Sequence, residues 1–92
     1  MDLYTKDGKP LQVSEPFVYS RSGVPVGRIK GEKVFGPDGQ YVGTIVGDRL
    51  VYRSTQSASV GSPFSVAHRA GSAKAHRAGS TMWGDEPNIP GY

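Results

Sequence analysis

The sequence contains no cysteine, which excludes disulfide bonds and any zinc site built on thiolate ligands. It also has no apolar run near the roughly 18–20 residues that span a bilayer. Its start lacks the basic, apolar and small-residue succession of a cleaved signal peptide, so a cytoplasmic location is expected. Only 36% of the 92 residues are hydrophobic, which predicts one small domain with a modest core.

Acidic residues are missing from one long part of the chain. Residues 49–84 contain five basic side chains and no carboxylate, whereas residues 1–48 contain six of each sign and are neutral. An acid-free stretch of this length is typical of a segment that meets nucleic acid, an acidic protein face or an anionic membrane surface. It is equally typical of a solvated linker, and the sequence leaves both interpretations open.

The first half of the chain does contain an internal repeat. An aliphatic–aromatic pair, a turn that ends in glycine and an aliphatic second arm recur in residues 3–11, 18–29 and 34–45. A fourth copy opens at residue 51 and then loses the pattern. The aromatic residue therefore recurs at Tyr4, Tyr19, Phe35 and Tyr52, and self-similarity of this kind indicates a repeated structural unit.

Each repeat predicts a β-hairpin. The tight turns end in Gly8, Gly23 and Gly39, because glycine accepts the positive φ that such turns require. Gly27 and Gly43 interrupt the period-two alternation of the second arms, which is typical of a β-bulge. Strands are expected near residues 2–5, 10–14, 17–21, 25–30, 33–36, 41–46 and 49–54.

Hairpins bent at one place in successive copies would curl a sheet steadily. The predicted fold class is therefore all-β, an antiparallel meander of short hairpin repeats that forms a small barrel or flower, with an extended C-terminal tail. The predicted organisation is a hairpin-repeat domain over 1–55, a flexible basic low-complexity linker over 56–80, and a tryptophan-containing anchor over 81–92.

The recurring units Tyr-x-x-x-Gly-x-Pro-Val and aromatic-x-x-x-Gly-x-x-Val-Gly-x-Ile resemble the bacterial four-fold β-flower domain. The resemblance covers about residues 2–55 and extends more loosely to a tail with a late tryptophan, here Trp83. It implies four units about a pseudo-four-fold axis, and it implies no particular activity. The fourth unit departs from the pattern, since Gln56-Ser57-Ala58 stands where Gly-x-Pro is expected.

The second half of the chain has its own repeat. Ala-His-Arg-Ala-Gly-Ser occurs at residues 67–72 and again at 75–80, a period of eight. These residues can bury little apolar surface, so alone they are expected to be disordered. The side chains expected to contact a partner are Arg69, Arg77, Met82, Trp83, Ile89 and Tyr92. Trp83 is expected either to dock on another molecule or to fold back and plug a mouth of the barrel.

No group of residues forms a recognisable catalytic motif. His68 and His76 have no third metal ligand nearby, and the carboxylates of the first half fall on turn positions. We therefore predict no enzyme activity, no metal and no cofactor. The predicted function is a non-enzymatic structural or adaptor module that oligomerises or docks onto a larger protein assembly through its C-terminal arm. The alternative is a nucleic-acid- or ribosome-associated protein that uses the basic tail.

Overall fold

Seven strands follow one another along the first half of the chain in the computed structural model, which describes residues 3–56, 58–71 and 74–89. They are β1 (Leu3–Thr5), β2 (Pro10–Ser14), β3 (Phe17–Tyr19), β4 (Pro25–Lys30), β5 (Lys33–Phe35), β6 (Tyr41–Val46) and β7 (Arg49–Val51). A single 3-10 turn follows at Ser54–Gln56. Successive strands pair antiparallel, and β7 pairs in parallel with β1, which closes the barrel. The predicted all-β barrel built from a meander of short hairpins is confirmed.

The interior of the barrel contains one fully buried aliphatic side chain from the first strand of each repeat, together with Leu11 and Val26 from second strands. Leu3, Val18, Val34 and Leu50 are all 0% exposed. Second-arm side chains lie opposite three of them, in the pairs Val18 with Val13, Val34 with Ile29, and Leu50 with Ile45. A barrel of about this strand number has an interior that side chains alone can fill, so the centre is a packed core.

The fourth repeat is placed one residue earlier than the aromatic spacing predicts. Leu50 pairs with Ile45 in the way that Val34 pairs with Ile29, so Leu50 is the inward residue of this repeat. Val51 then takes the position that Tyr4, Tyr19 and Phe35 hold in the other three repeats. The prediction that Tyr52 is the fourth equivalent aromatic was wrong, because strand pairing fixes which side chains face inward.

The second and third hairpins each contain a register shift. The shifts lie between Val18 and Tyr19 and between Val34 and Phe35, where Gly27 and Gly43 pair directly with Val18 and Val34. A Cβ on Gly27 would lie 2.6 Å from the Phe35 carbonyl oxygen, and one on Gly43 would lie 2.9 Å from Leu50 Cδ1. The extra residue of each bulge is Val26 or Val42, and the glycine that follows it lies where the neighbouring strand leaves no room for a side chain.

Candidate functional site

After β7 the chain turns back and passes over the tips of its own hairpins. Backbone N–H groups of the tail donate to the carbonyls of the three turn glycines, Gly61 to Gly39 at 2.7 Å, Arg69 to Gly23 at 2.9 Å and Arg77 to Gly8 at 2.8 Å. The three acceptor glycines have positive φ, between 84° and 96°. The tail thus visits the hairpins in reverse order of sequence, and each contact is eight residues from the next.

Asp85, eight residues after Arg77, completes the fourth hairpin. The N–H of Asp85 donates to the Tyr52 carbonyl at 2.7 Å, and the N–H of Tyr52 donates back at 2.8 Å. In the other hairpins the equivalent first-arm N–H groups bond across a short turn, Thr5 to Lys9, Ser20 to Val24 and Gly36 to Gln40. Asp85 therefore stands where Lys9, Val24 and Gln40 stand, and the tail supplies the arm that the fourth repeat lacks.

The residues before Asp85 continue this equivalence. Gly84 has a positive φ of 121° and precedes Asp85 as each turn glycine precedes its acceptor residue. It also approaches Val51 so closely that a Cβ there would overlap the valine side chain. Trp83 consequently occupies the tip of the fourth hairpin, at the position held by Asp7, Ser22 and Asp38 in the others.

In each of the three hairpins that carry a buried aromatic residue, one residue of the tail lies against the aromatic ring. The Arg69 guanidinium lies 5.1 Å from the centroid of the Tyr19 ring, and that of Arg77 lies 4.4 Å from the centroid of the Tyr4 ring. In the third hairpin, Gly61 packs against the Phe35 ring. Cation–π contacts at exposed sites contribute about 0.5–1 kcal/mol each. The structure thus places Arg69 and Arg77, both predicted to contact a partner, against the barrel of their own chain.

Ion pairs and a hydrogen bond link the tail to the barrel. Arg77 forms an ion pair with Asp48, which also lies 3.6 Å from Arg49 Nε. Glu86 accepts the backbone N–H of Asp7 at 2.9 Å and lies 3.9 Å from Lys9 Nζ. These contacts link Arg77 to the β6–β7 turn and Glu86 to the first hairpin.

The residues predicted to form the C-terminal anchor lie in different environments. Trp83 is 57% exposed, and the Arg53 guanidinium lies 4.3 Å from its ring centroid. Met82 is half-buried beside it. Ile89 packs against the hydrophobic core. The chain end therefore folds back, but Ile89 and not Trp83 is the side chain that reaches the core. Tyr92 lies outside the described residues.

A groove of about 580 Å³ opens at the hairpin tips between the second and third hairpins. Its apolar lining includes Val24 and Val42 of the hairpins and Phe64 and Val66 of the tail, and Asp38 and His68 add polar groups. Phe64 is fixed by the Phe17 ring, 5.3 Å between centroids, and by Arg28. The sequence carries no signal for this groove, because it exists only where the tail crosses the hairpins.

Over the described ranges, no three His, Asp or Glu side chains gather into a possible metal site. No helix in that part of the chain has the length and apolar character needed to cross a membrane. Comparison with protein-family models, curated proteins and solved structures finds no match. The surface features that stand out are thus the exposed indole at one hairpin tip and the apolar groove between two others.

Proposed function

We propose that the protein is a non-enzymatic structural or adaptor module that oligomerises or docks onto another protein through its C-terminal arm. The observation that carries this proposal is the exposure of Trp83. In the described part of the chain, Trp83 and Val60 are the large hydrophobic side chains left exposed, at 57% and 75%. Tryptophan is enriched among the residues that dominate interface energies, and its ring offers a large apolar surface.

Contacts within the C-terminal tail and with the barrel already order this indole in the unbound protein. Gly84 and the Asp85–Tyr52 bridge fix the backbone beside Trp83, and Arg53 covers one face of its ring. A side chain that is already ordered loses less conformational entropy when it binds. The arm therefore acts by presenting residues on a rigid body, and not by reaching outward.

The proposal also includes structural roles for two carboxylates and a relationship with a known domain family. Asp48 and Glu86 are engaged in ion pairs that hold the tail, which supports structural roles for these carboxylates. Four equivalent inward residues and a fourth hairpin completed by the tail support a relationship with the four-fold β-flower domain. We keep the absence of a cofactor and the cytoplasmic location as parts of the same hypothesis.

The experiment that tests this function is cross-linking mass spectrometry on the full-length chain in its native cells. We expect cross-links to a partner protein, or to a second copy, that fall on the segment around Met82 and Trp83. Trp83→Ala should remove them. Val60→Ala is the matched control, since it removes the other exposed apolar side chain and should leave them in place. Cross-links that persist in Trp83→Ala would contradict the proposal.

A nucleic-acid-associated function is the second candidate. The observation that favours it is the row of basic side chains on the tail, with Arg69, Lys74 and Arg77 all lying over tyrosine rings. Phosphate contacts of this kind give binding that weakens steeply with salt. Fluorescence anisotropy with a labelled single-stranded RNA tests it. Binding that survives physiological salt and falls in an Arg69→Ala, Arg77→Ala double variant would favour this candidate over the first.

A further inference from the structure

We propose that Trp83 binds a second copy of this chain and inserts into the groove between that copy's second and third hairpins. The inference rests on the proposed function and names its partner. It follows from two complementary features on one molecule, an exposed indole at one hairpin tip and an apolar groove at two others.

The groove has the size and lining that an indole requires. Its volume of about 580 Å³ falls within the range of roughly 300–1,000 Å³ typical of sites that hold small organic groups. Val24, Val42 and Val66 offer aliphatic surface, and Phe64 offers an aromatic ring. An indole seated among these side chains would be removed from water on several sides, which is the main favourable contribution to such an interface.

Charge at the two surfaces is also complementary. Arg53 lies over the Trp83 ring, so its guanidinium would enter the partner interface together with the indole. Arg53 Nε is buried and has no hydrogen-bond partner within the described atoms. The groove presents the carboxylate of Asp38, whose Oδ1 accepts the Gln40 N–H at 3.1 Å. A guanidinium–carboxylate contact would then accompany the insertion of the ring.

The positions of the two features favour a pair of copies over other partners. Trp83 stands at the tip of the fourth hairpin and does not line the groove of its own chain. Both features lie at the tip end of the barrel, so two copies that meet tip to tip can each place an indole in the other's groove. Such a two-fold arrangement uses the same surface twice and closes on itself, as in the commonest protein dimers.

Sedimentation equilibrium of the full-length chain over a wide concentration range tests the inference. We expect a monomer–dimer equilibrium, and Trp83→Ala should weaken it by about a thousand-fold, because the two-fold arrangement loses two indole contacts of about thirty-fold each. Val66→Asp, which puts a charge in the groove without touching the barrel core, should weaken it as strongly. Val60→Ala should leave the dimer unchanged. Thermal unfolding of each variant checks that the fold is kept.

A charge-exchange experiment and a mixing experiment separate direct contact from indirect effects. Arg53→Glu and Asp38→Arg should each weaken the dimer, and the double variant should recover part of the affinity because the two charges are exchanged. Trp83→Ala and Val66→Asp should each be monomeric alone and should associate when mixed, since the mixture contains one intact indole and one intact groove.

The outcomes distinguish this inference from the proposed function. A wild-type chain that stays monomeric at all concentrations overturns the inference, whereas the proposed function is then decided by its own cross-linking experiment. A dimer that survives both Trp83→Ala and Val66→Asp also overturns it, while still agreeing with a module that oligomerises. A dimer lost in both variants and recovered in their mixture supports both.

Discussion

At Gly23 the backbone conformation and the position of the tail both demand the absence of a side chain. Its φ is +94°, and a Cβ would overlap the carbonyl of Arg69. Gly31 shares a positive φ, +65°, but has open space around it. Alanine in a left-handed conformation costs about 1–2 kcal/mol, and of these two positions Gly23 is the one where it would also overlap the tail.

We therefore expect Gly23→Ala to lower the free energy of unfolding by about 1–3 kcal/mol more than Gly31→Ala, the usual cost of a steric overlap in a packed site. Urea denaturation of the two full-length variants measures the difference. Equal losses would show that the tail does not press on this turn.

The two tail arginines differ in how they are held, which gives a second test at the residue scale. Arg77 lies over the Tyr4 ring and also pairs with Asp48, whereas Arg69 lies over the Tyr19 ring. We expect Arg77→Ala to destabilise the protein more than Arg69→Ala, by up to about 1 kcal/mol, since exposed ion pairs contribute little. Thermal unfolding at low and high salt checks this, because the excess should shrink as salt screens the ion pair. A larger loss for Arg69→Ala would contradict the structure.

At the scale of elements, the position of the tail is the feature that the sequence predicts least well. The eight-residue repeat and the hairpin repeat are both visible in the sequence, yet their correspondence is not. The contacts that join them are backbone N–H groups bonded to backbone carbonyls, and any residue can supply such a group. The strands, by contrast, were predictable, because turn glycines and alternating apolar residues mark each hairpin.

Hydrogen exchange followed by NMR tests whether the tail is held at regular points. The amides of Gly61, Arg69, Arg77 and Asp85 donate to barrel carbonyls, whereas those of the exposed Ala70 and Ala78 have no such bond in the described structure. We expect the four donors to exchange more slowly than the two alanines, because exchange requires the hydrogen bond to open. Uniform fast exchange along the tail would mean that it does not stay on the hairpin tips.

At the scale of the whole molecule, the barrel and the tail form one closed unit. The sequence places a turn-like Gly84-Asp85 far from the incomplete fourth repeat, and nothing local indicates that the two belong together. Only the closure of β7 on β1 brings Tyr52 to the rim, where Asp85 can pair with it. The same closure explains why Ile89 reaches the core, a contact that no spacing in the sequence predicts.

This arrangement predicts the effect of removing the tail. A chain that ends at Gln56 would lose the Ile89 contact with the core, leave the Tyr52 N–H and carbonyl without Asp85, and uncover Tyr4, Tyr19 and Phe35, which are now less than a tenth exposed. Burial of one large aliphatic side chain contributes about 1.5–3 kcal/mol and each hydrogen bond about 1 kcal/mol. The sum is a large part of the total stability of about 5–15 kcal/mol that a small domain has.

We expect the full chain to unfold in one cooperative transition in urea, and the shortened chain to unfold at a much lower urea concentration or to lack a folded baseline. Gly84→Val in the full chain is the graded control, because it disturbs the fourth hairpin alone and should fall between the two. If the shortened chain had the same urea midpoint as the full chain, the seven strands alone would account for the stability of the fold. The tail would then be able to leave its own barrel and bind another molecule. An intermediate midpoint for Gly84→Val would show that the fourth hairpin supplies part of the stability that the tail gives to the barrel, since a single side chain there would reproduce part of the loss of the whole tail.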